Sequence, residues 1–447
     1  MTDTETAYNL ALDYLYSFVD YSLKHSSELA RADFNLDRMR ALMSALGDPQ
    51  TEYPIIHVAG TKGKGSVCAL VASAMGAAGF KTGLYTSPHL LDFAERIQID
   101  GTPIPHSTFV ELVEEIKPAV ARIEKLTTFE LTTALGFLAF ARAGCDSAVI
   151  EVGLGGRLDA TNVVAPCVSV ITSLSYDHMA VLGDTLAKIA GEKAGIIKPG
   201  VPVVSAPQKK EALSVILRIV EERENPFTLI GRDVYVEPVT HSLNGQSILI
   251  HETGVSEGIP FSIPLLGDYQ LANAATAYAA LKASGLGIPL PAIQRGFAGV
   301  KWPARFEVAR REPPVIFDSA HNDDSFARLR ETLETYFPGL SVYLIFGASE
   351  DKNLPGMLRE MKPSIRRLII TRSDHPRALP PEHIRGQAEE FEIPNETIVP
   401  VAAALARALD LSEKDGSIVL SAGSMFVTAQ VMAAWINLPQ NKVTDDR

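Results

Sequence analysis

Apolar runs about a strand long alternate with segments of helical periodicity over most of the chain, which predicts βαβ units and a mostly parallel sheet covered on both faces. In the first half the strand runs are PIIHVAG (54–60), SAVIEVG (147–153) and CVSVIT (167–172). Helices are predicted over about 64–79, 107–125 and 129–143, the second capped by Ser107. Between about 230 and 264 strand runs follow one another without helices, which predicts a local antiparallel addition. An Ala-rich helix over about 268–284 and a shorter one over 290–298 come next. The stretch KWPARFEVARREPP (301–314) is rich in Pro and Arg and reads as an inter-domain linker. Beyond it VIFD, SVYLIFG, RLIIT and SIVLSAGS are each followed by a helical pattern. Two α/β domains are expected, 1–308 and a smaller, Rossmann-like 309–447.

Composition supports a large buried core, with 46% hydrophobic and 21% charged residues over 447 positions. Lys and Arg number 41 against 53 Asp and Glu, a net charge of −12, which argues against nucleic acid or an anionic membrane as partner. Cys68, Cys145 and Cys167 lie singly in apolar segments and read as core thiols of a reducing cytoplasm. No basic region followed by an apolar one opens the chain, so no secretory signal is expected. The stretch 416–441 carries no charge and is long enough to span a bilayer, but Ser421, Gly423, Ser424, Thr428, Gln430 and Gln440 predict a strand, a turn and a helix.

The sharpest chemical signal is a strand that enters a Gly-rich turn and leaves as a helix: Gly60, Thr61, Lys62, Gly63, Lys64, Gly65 and Ser66. Glycines let backbone N–H groups converge on phosphate oxygens, the helix N-terminus adds partial positive charge, and a lysine reaches the outer phosphates. Gly65 separates Lys64 from Ser66, so the spacing departs from the usual phosphate loop. Nucleotide binding is nonetheless the expectation. Glu151 closes the strand AVIEV at the carboxyl end, where open α/β sheets bind ligands. On its own it reads equally as a Mg²⁺ ligand or a helix cap. His178 follows a strand across a short loop, and Lys193 falls in the last turn of a helix expected from Asp184 to Gly195, where a cation complements the helix dipole.

Further blocks accompany the loop: TSPHL (86–90), ERIQIDG (95–101), TTFELTTALGFLAF (127–140), EVGLGGRLDATN (151–162), Asp177 with His178, EKAGI (192–196), GDYQLANAATA (267–277), WPARFE (302–307) and DSAHN (318–322). With them the chain resembles the folylpolyglutamate synthase and dihydrofolate synthase family of the Mur ligase superfamily. The resemblance implies a P-loop central domain with a smaller C-terminal glutamate ligase domain. It implies transfer of the ATP γ-phosphoryl to a pterin carboxylate, and attack of L-glutamate's amine on the acyl phosphate. Mur ligases of peptidoglycan synthesis usually carry a separate UDP-sugar domain, for which the 59 residues before Gly60 are too few. A nucleotide-binding protein without turnover is the other alternative.

By resemblance the catalytic residues are Lys64, Glu151, His178 and Lys193. Two Mg²⁺ ions are implied, one on Ser66, Ser87 and Glu151, the other on His178 and Lys193 as a carbamate. ATP is implied to contact the loop, Asn273, Arg305, Asp318 and His321, and to sit between the domains. The pterin stretches matched are Asp33, Phe34, Asn35 and Leu36, then Thr127, Thr128, Phe129 and Glu130, and Leu158, Asp159 and Ala160. Phe129 offers a stacking face and Asp159 an acceptor for pterin N–H groups. Lys62 stands where the family commonly has Asn. The expected partners are ATP, pterin acid and glutamate, with a monomer acting in the cytoplasm.

Overall fold

The computed structural model describes residues 3–20 and 34–439. Asp33, assigned to the pterin by resemblance, lies outside the described residues. The chain forms two units: a larger one running to Thr240 and including Gln246–Pro264 and Gln270–Lys301, and a smaller one of His241–Gly245, Leu265–Tyr269 and the chain from Trp302. The continuous part of the smaller unit starts at Trp302, where a domain of 309–447 was expected. The stretch read as a linker contains a strand, Glu307–Arg311, paired antiparallel with Pro314–Phe317.

The larger unit is built on eight strands: β1 (Ile55–Ala59), β2 (Thr82–Tyr85), β3 (Ile97–Ile99), β4 (Thr102–Pro103), β5 (Ser147–Glu151), β6 (Val168–Ile171), β7 (Val203–Ser205) and β8 (Phe227–Leu229). Their order is β4-β3-β2-β5-β1-β6-β7-β8. β2, β5, β1, β6, β7 and β8 run parallel, and β3 and β4 add an antiparallel edge. β1, β5 and β6 are buried along their whole length, as apolar strands covered on both faces must be. β1 sits between β5 and β6, although the chain visits β2 directly after it. That reversal of strand order opens a crevice beyond the carboxyl ends of the strands.

The helix Lys64–Ala77 follows β1 and is apolar on all sides, with Val67, Cys68, Leu70, Val71 and Met75 buried. Helix Thr128–Ala143 has reciprocal caps at its start, where Thr127 accepts from the Glu130 N–H and Glu130 accepts from the Thr127 N–H, and Gly144 ends it in the left-handed region. The predicted 107–125 helix is shorter, His106–Val120, and no side chain caps it, so Ser107 does not have the expected role. β9 (Val234–Ser242), β10 (Gly245–Glu252) and β11 (Ile259–Ile263) form the expected separate sheet, with β10 and β11 antiparallel.

His106 has other work. Its Nδ1 lies 2.8 Å from Glu5 Oε1 and its Nε2 3.1 Å from Asp92 Oδ2, while Tyr8 stacks on the ring and donates to Asp92. Burial lowers the imidazole's pKa, but the two carboxylates outweigh it and hold the value above the ordinary one. A raised folded value means the stabilisation is complete below the unfolded pKa and fades as pH rises through the folded one. Glu5 is half exposed, so His106→Gln is expected to cost less than about 1 kcal/mol at pH 5. Chemical denaturation at pH 5 and pH 9 checks that the cost shrinks at the higher pH.

The smaller unit holds a six-stranded sheet: β12 (Glu307–Arg311), β13 (Pro314–Phe317), β14 (Val342–Phe346), β15 (Ile365–Ile370), β16 (Asn395–Thr397) and β17 (Ile418–Ala422), in the order β12-β13-β17-β14-β15-β16. All but β12 run parallel. The uncharged 416–441 stretch supplies β17 and helix Met425–Ile436, and no helix among the described residues is long and apolar enough to cross a membrane.

Candidate active site

The loop after β1 is fastened to the segment after β6. Thr61 and Lys62 each donate a backbone N–H to the Ser173 carbonyl at 3.0 Å, and Thr61 Oγ1 donates to the Ser175 carbonyl at 3.2 Å. Gly63 occupies the position before the helix with φ of +87°, and a Cβ there would lie 2.3 Å from Asn273 Oδ1. Asn273 is buried, donates to Gln270 Oε1 at 2.9 Å, and rests against the loop, not in a generic contact between helices.

Charged groups from the ends of three strands, β1, β5 and β6, converge here. Glu151, the last residue of β5, lies 3.8 Å from Lys64 Nζ and accepts from the Ser87 N–H at 3.3 Å. Lys62 Nζ lies 3.4 Å from Asp177 Oδ2, so the lysine that replaces the family's Asn has an acidic counterpart. Asp177 Oδ1 in turn accepts from the His178 N–H at 3.0 Å. His178 adopts φ of +47° at the head of a short helix, which orients the loop after β6.

Lys193 departs from the bland expectation. Its helix is Leu186–Lys193, opened by Thr185, yet the side chain turns inward, is 6% exposed, and donates from Nζ to the Gly60 carbonyl at 2.9 Å. Burial, with Lys64 nearby, brings its pKa down to about 7. A charge that merely complemented a helix dipole would stay in solvent.

The stretches matched to the pterin are partly spent on structure. Thr127 and Glu130 cap their helix, Glu130 also pairs with Arg38 at 3.2 Å, and Thr128 Oγ1 donates to the Leu15 carbonyl. Leu36 and Ala160 are buried among core residues, and Asn35 Oδ1 accepts from the Asp37 N–H. Phe129 covers Gly153, where a Cβ would lie 2.3 Å from the ring. Asp159 is buried and accepts from the Leu154 and Thr161 N–H groups and from Thr161 Oγ1. Its carboxylate is committed to its own loop, which sequence reasoning missed. Leu158 is half-buried on that loop.

In the smaller unit, Arg305 Nη1 donates to Ser319 Oγ at 2.6 Å, and Asp318 accepts from the Phe306 and Ala320 N–H groups. His321 Nδ1 lies 2.7 Å from the Ser319 carbonyl. Burial raises the Asp318 pKa against the pull of Arg305. Ala304 and Phe306 both have φ near +50°, so Arg305 is held between two strained residues. Arg305, Asp318 and His321 are thus brought together around Ser319. Asp177 was quoted in the sequence without a role, and its place directly before His178 was the available signal.

The Mur ligase middle domain family matches residues 58–281, and the Mur ligase glutamate ligase domain family matches residues 304–425. The dihydrofolate synthase/folylpolyglutamate synthase of Bacillus subtilis is 32% identical over 448 residues, covering 95% of this chain and 98% of the relative. The Escherichia coli protein of that name is 32% identical, with 90% and 91% covered. The solved structure of Mycobacterium tuberculosis folylpolyglutamate synthase complexed with ADP superposes with a TM-score of 0.88 at 33% identity, covering 98% of this chain and all of that one. E. coli FolC in complex with DHPP and ADP gives 0.81 at 31% identity, with 90% and 94% covered. By both domain matches and near-complete coverage, the chain belongs to the folylpolyglutamate synthase and dihydrofolate synthase family of Mur ligases and is an ATP-dependent ligase.

Proposed function

We propose that this glutamate ligase phosphorylates the carboxylate of a pterin acid, dihydropteroate or a reduced folate, and that glutamate's amine then displaces phosphate to form the amide. The observation that carries the reading is the convergence of Lys64, Glu151, Asp177 and Lys193 on one loop at the carboxyl ends of β5, β1 and β6. The first step brings two anions together, so its rate depends on positioning and on cations beside the developing charge. Lys64 supplies such a cation, and the loop's N–H groups with the following helix N-terminus supply partial charge.

Glu151, Ser66 and Ser87 are hard oxygen donors of the kind that hold Mg²⁺ when nucleotide phosphates and water complete its shell. Among the described residues no three His, Cys, Asp or Glu side chains cluster to hold a metal alone. Bound there, Mg²⁺ would neutralise phosphate oxygens. His178 and Lys193, the latter as a carbamate formed from its amine and CO₂ with loss of a proton, would hold a second ion. Asn273, Arg305, Asp318 and His321 are assigned to the nucleotide, and Phe129 with the loop 153–160 to the pterin. The expected setting is a monomer in a reducing cytoplasm, where Cys68, Cys145 and Cys167 would stay as thiols.

Release of ADP, followed with glutamate and either dihydropteroate or tetrahydrofolate, tests the function. Turnover that needs both the pterin acid and glutamate is expected. Turnover with neither acid overturns the reading, and turnover with only one assigns the preference.

A further inference from the structure

We propose that His57, in the middle of β1, is a positioning residue for the pterin acid, acting through Thr161 on the loop that Asp159 closes. The inference rests on the reading that this loop and Phe129 receive the pterin. His57 is fully buried, its Nε2 lies 2.9 Å from Thr161 Oγ1, and its Nδ1 has no hydrogen-bond partner among the described residues. Thr161 Oγ1 lies 2.5 Å from Asp159 Oδ1. Both oxygens of Asp159 accept backbone N–H groups, from Thr161 and Leu154, as a carboxylate does. The hydroxyl proton of Thr161 therefore goes to Asp159, and Thr161 can only accept from His57. That assigns the proton to Nε2 and leaves Nδ1 bare.

The flanking residues Ile55, Ile56 and Val58 are apolar and buried, and a branched apolar residue at 57 would leave no orphaned nitrogen. What the imidazole contributes is the single bond to Thr161. Burial keeps the ring neutral, with its pKa near 3, so the bond persists over the working range. The relay ends on a loop that is one mechanical piece: Asp159 ties to Leu154, and Gly153 lies beneath Phe129. β1 itself leads into the phosphate loop. His57 thus fixes the surface assigned to the pterin to the strand that carries the loop assigned to ATP.

The test is steady-state kinetics on the full chain with ATP, glutamate and whichever pterin acid it turns over. His57→Leu is expected to raise KM for the pterin acid about tenfold while KM for ATP stays within about twofold. His57→Gln keeps an N–H donor and is expected to restore most of the loss. Thr161→Val, which also removes the bond to Asp159, should raise the pterin KM at least as far as His57→Leu, Thr161→Ser should not, and adding His57→Leu to Thr161→Val should change nothing further. A normal pterin KM in His57→Leu, an equal rise in both KM values, or additive effects overturn the relay. If His57→Leu does not fold, the comparison of Thr161→Val with Thr161→Ser decides, and equal values overturn it. Asp159→Asn separates the two claims. An unchanged pterin KM there defeats the site assignment, whereas a raised one with a normal His57→Leu defeats only the relay.

Discussion

Lys193→Ala is expected to lower kcat by about a hundred- to a thousandfold and to regain part of it when acetate or formate is added. The amine is buried against the Gly60 carbonyl, where no surface role is available to it. If it only complemented a helix end, alanine would cost a few tenths of a kcal/mol and leave turnover unchanged. A small carboxylate can occupy the volume that a carbamate would fill, which is why its effect on rate is diagnostic. Full activity of the variant without added carboxylate defeats the carbamate assignment. Stability should move the opposite way. In the chain before carbamylation, prepared free of CO₂, the folded value near 7 lies below the ordinary lysine value of 10.5, so the unfolded chain holds the proton over that interval and wild-type stability rises with pH through it. Alanine removes that dependence. Relative to wild type, the variant is therefore most favoured below about pH 7, as thermal unfolding at pH 6.5 and pH 9 will report.

Gly63→Ala is the second large effect expected, a rise of about a hundredfold in KM for ATP. The residue combines φ of +87°, where an L side chain is strained, with a Cβ position 2.3 Å from Asn273 Oδ1. The new methyl displaces Asn273, the loop, or both. Asn273→Ala in the same chain relieves the clash but neither the dihedral strain nor the loss of the amide, so only partial recovery is expected. An ATP KM unchanged in Gly63→Ala excludes close approach of this loop to the nucleotide.

The strand-to-helix turn at 60–66 and the place of Glu151 at a strand end were readable from sequence because their signals are local: an apolar run, glycines, and a carboxylate closing a strand. Lys193 was not, because periodicity places it at a helix terminus and cannot say that the terminus faces inward. The bonds that Asp159 accepts from its own loop were not readable either, because they depend on the turn between Leu154 and Thr161. Nothing in the sequence singled out His57, because its bond to Thr161 joins residues about a hundred positions apart. The strand inside the stretch read as a linker was not foreseen because Pro and Arg usually mark linkers, while EVARR lacks the alternation that announces a strand. Ser107 had the chemistry of a cap, but the helix begins one residue earlier, where His106 binds two carboxylates.

The position of β1 between β5 and β6 also bears on the order of assembly. Both hydrogen-bonding edges of β1 are claimed by strands that leave the ribosome much later, Ser147–Glu151 and Val168–Ile171. Until those strands arrive, the loop after β1 has neither the Ser173 carbonyl to anchor it nor Glu151 and Lys193 beside it. Nucleotide affinity is therefore not a property of a nascent motif. It is expected to emerge late, once the long-range pairing of β1 is complete.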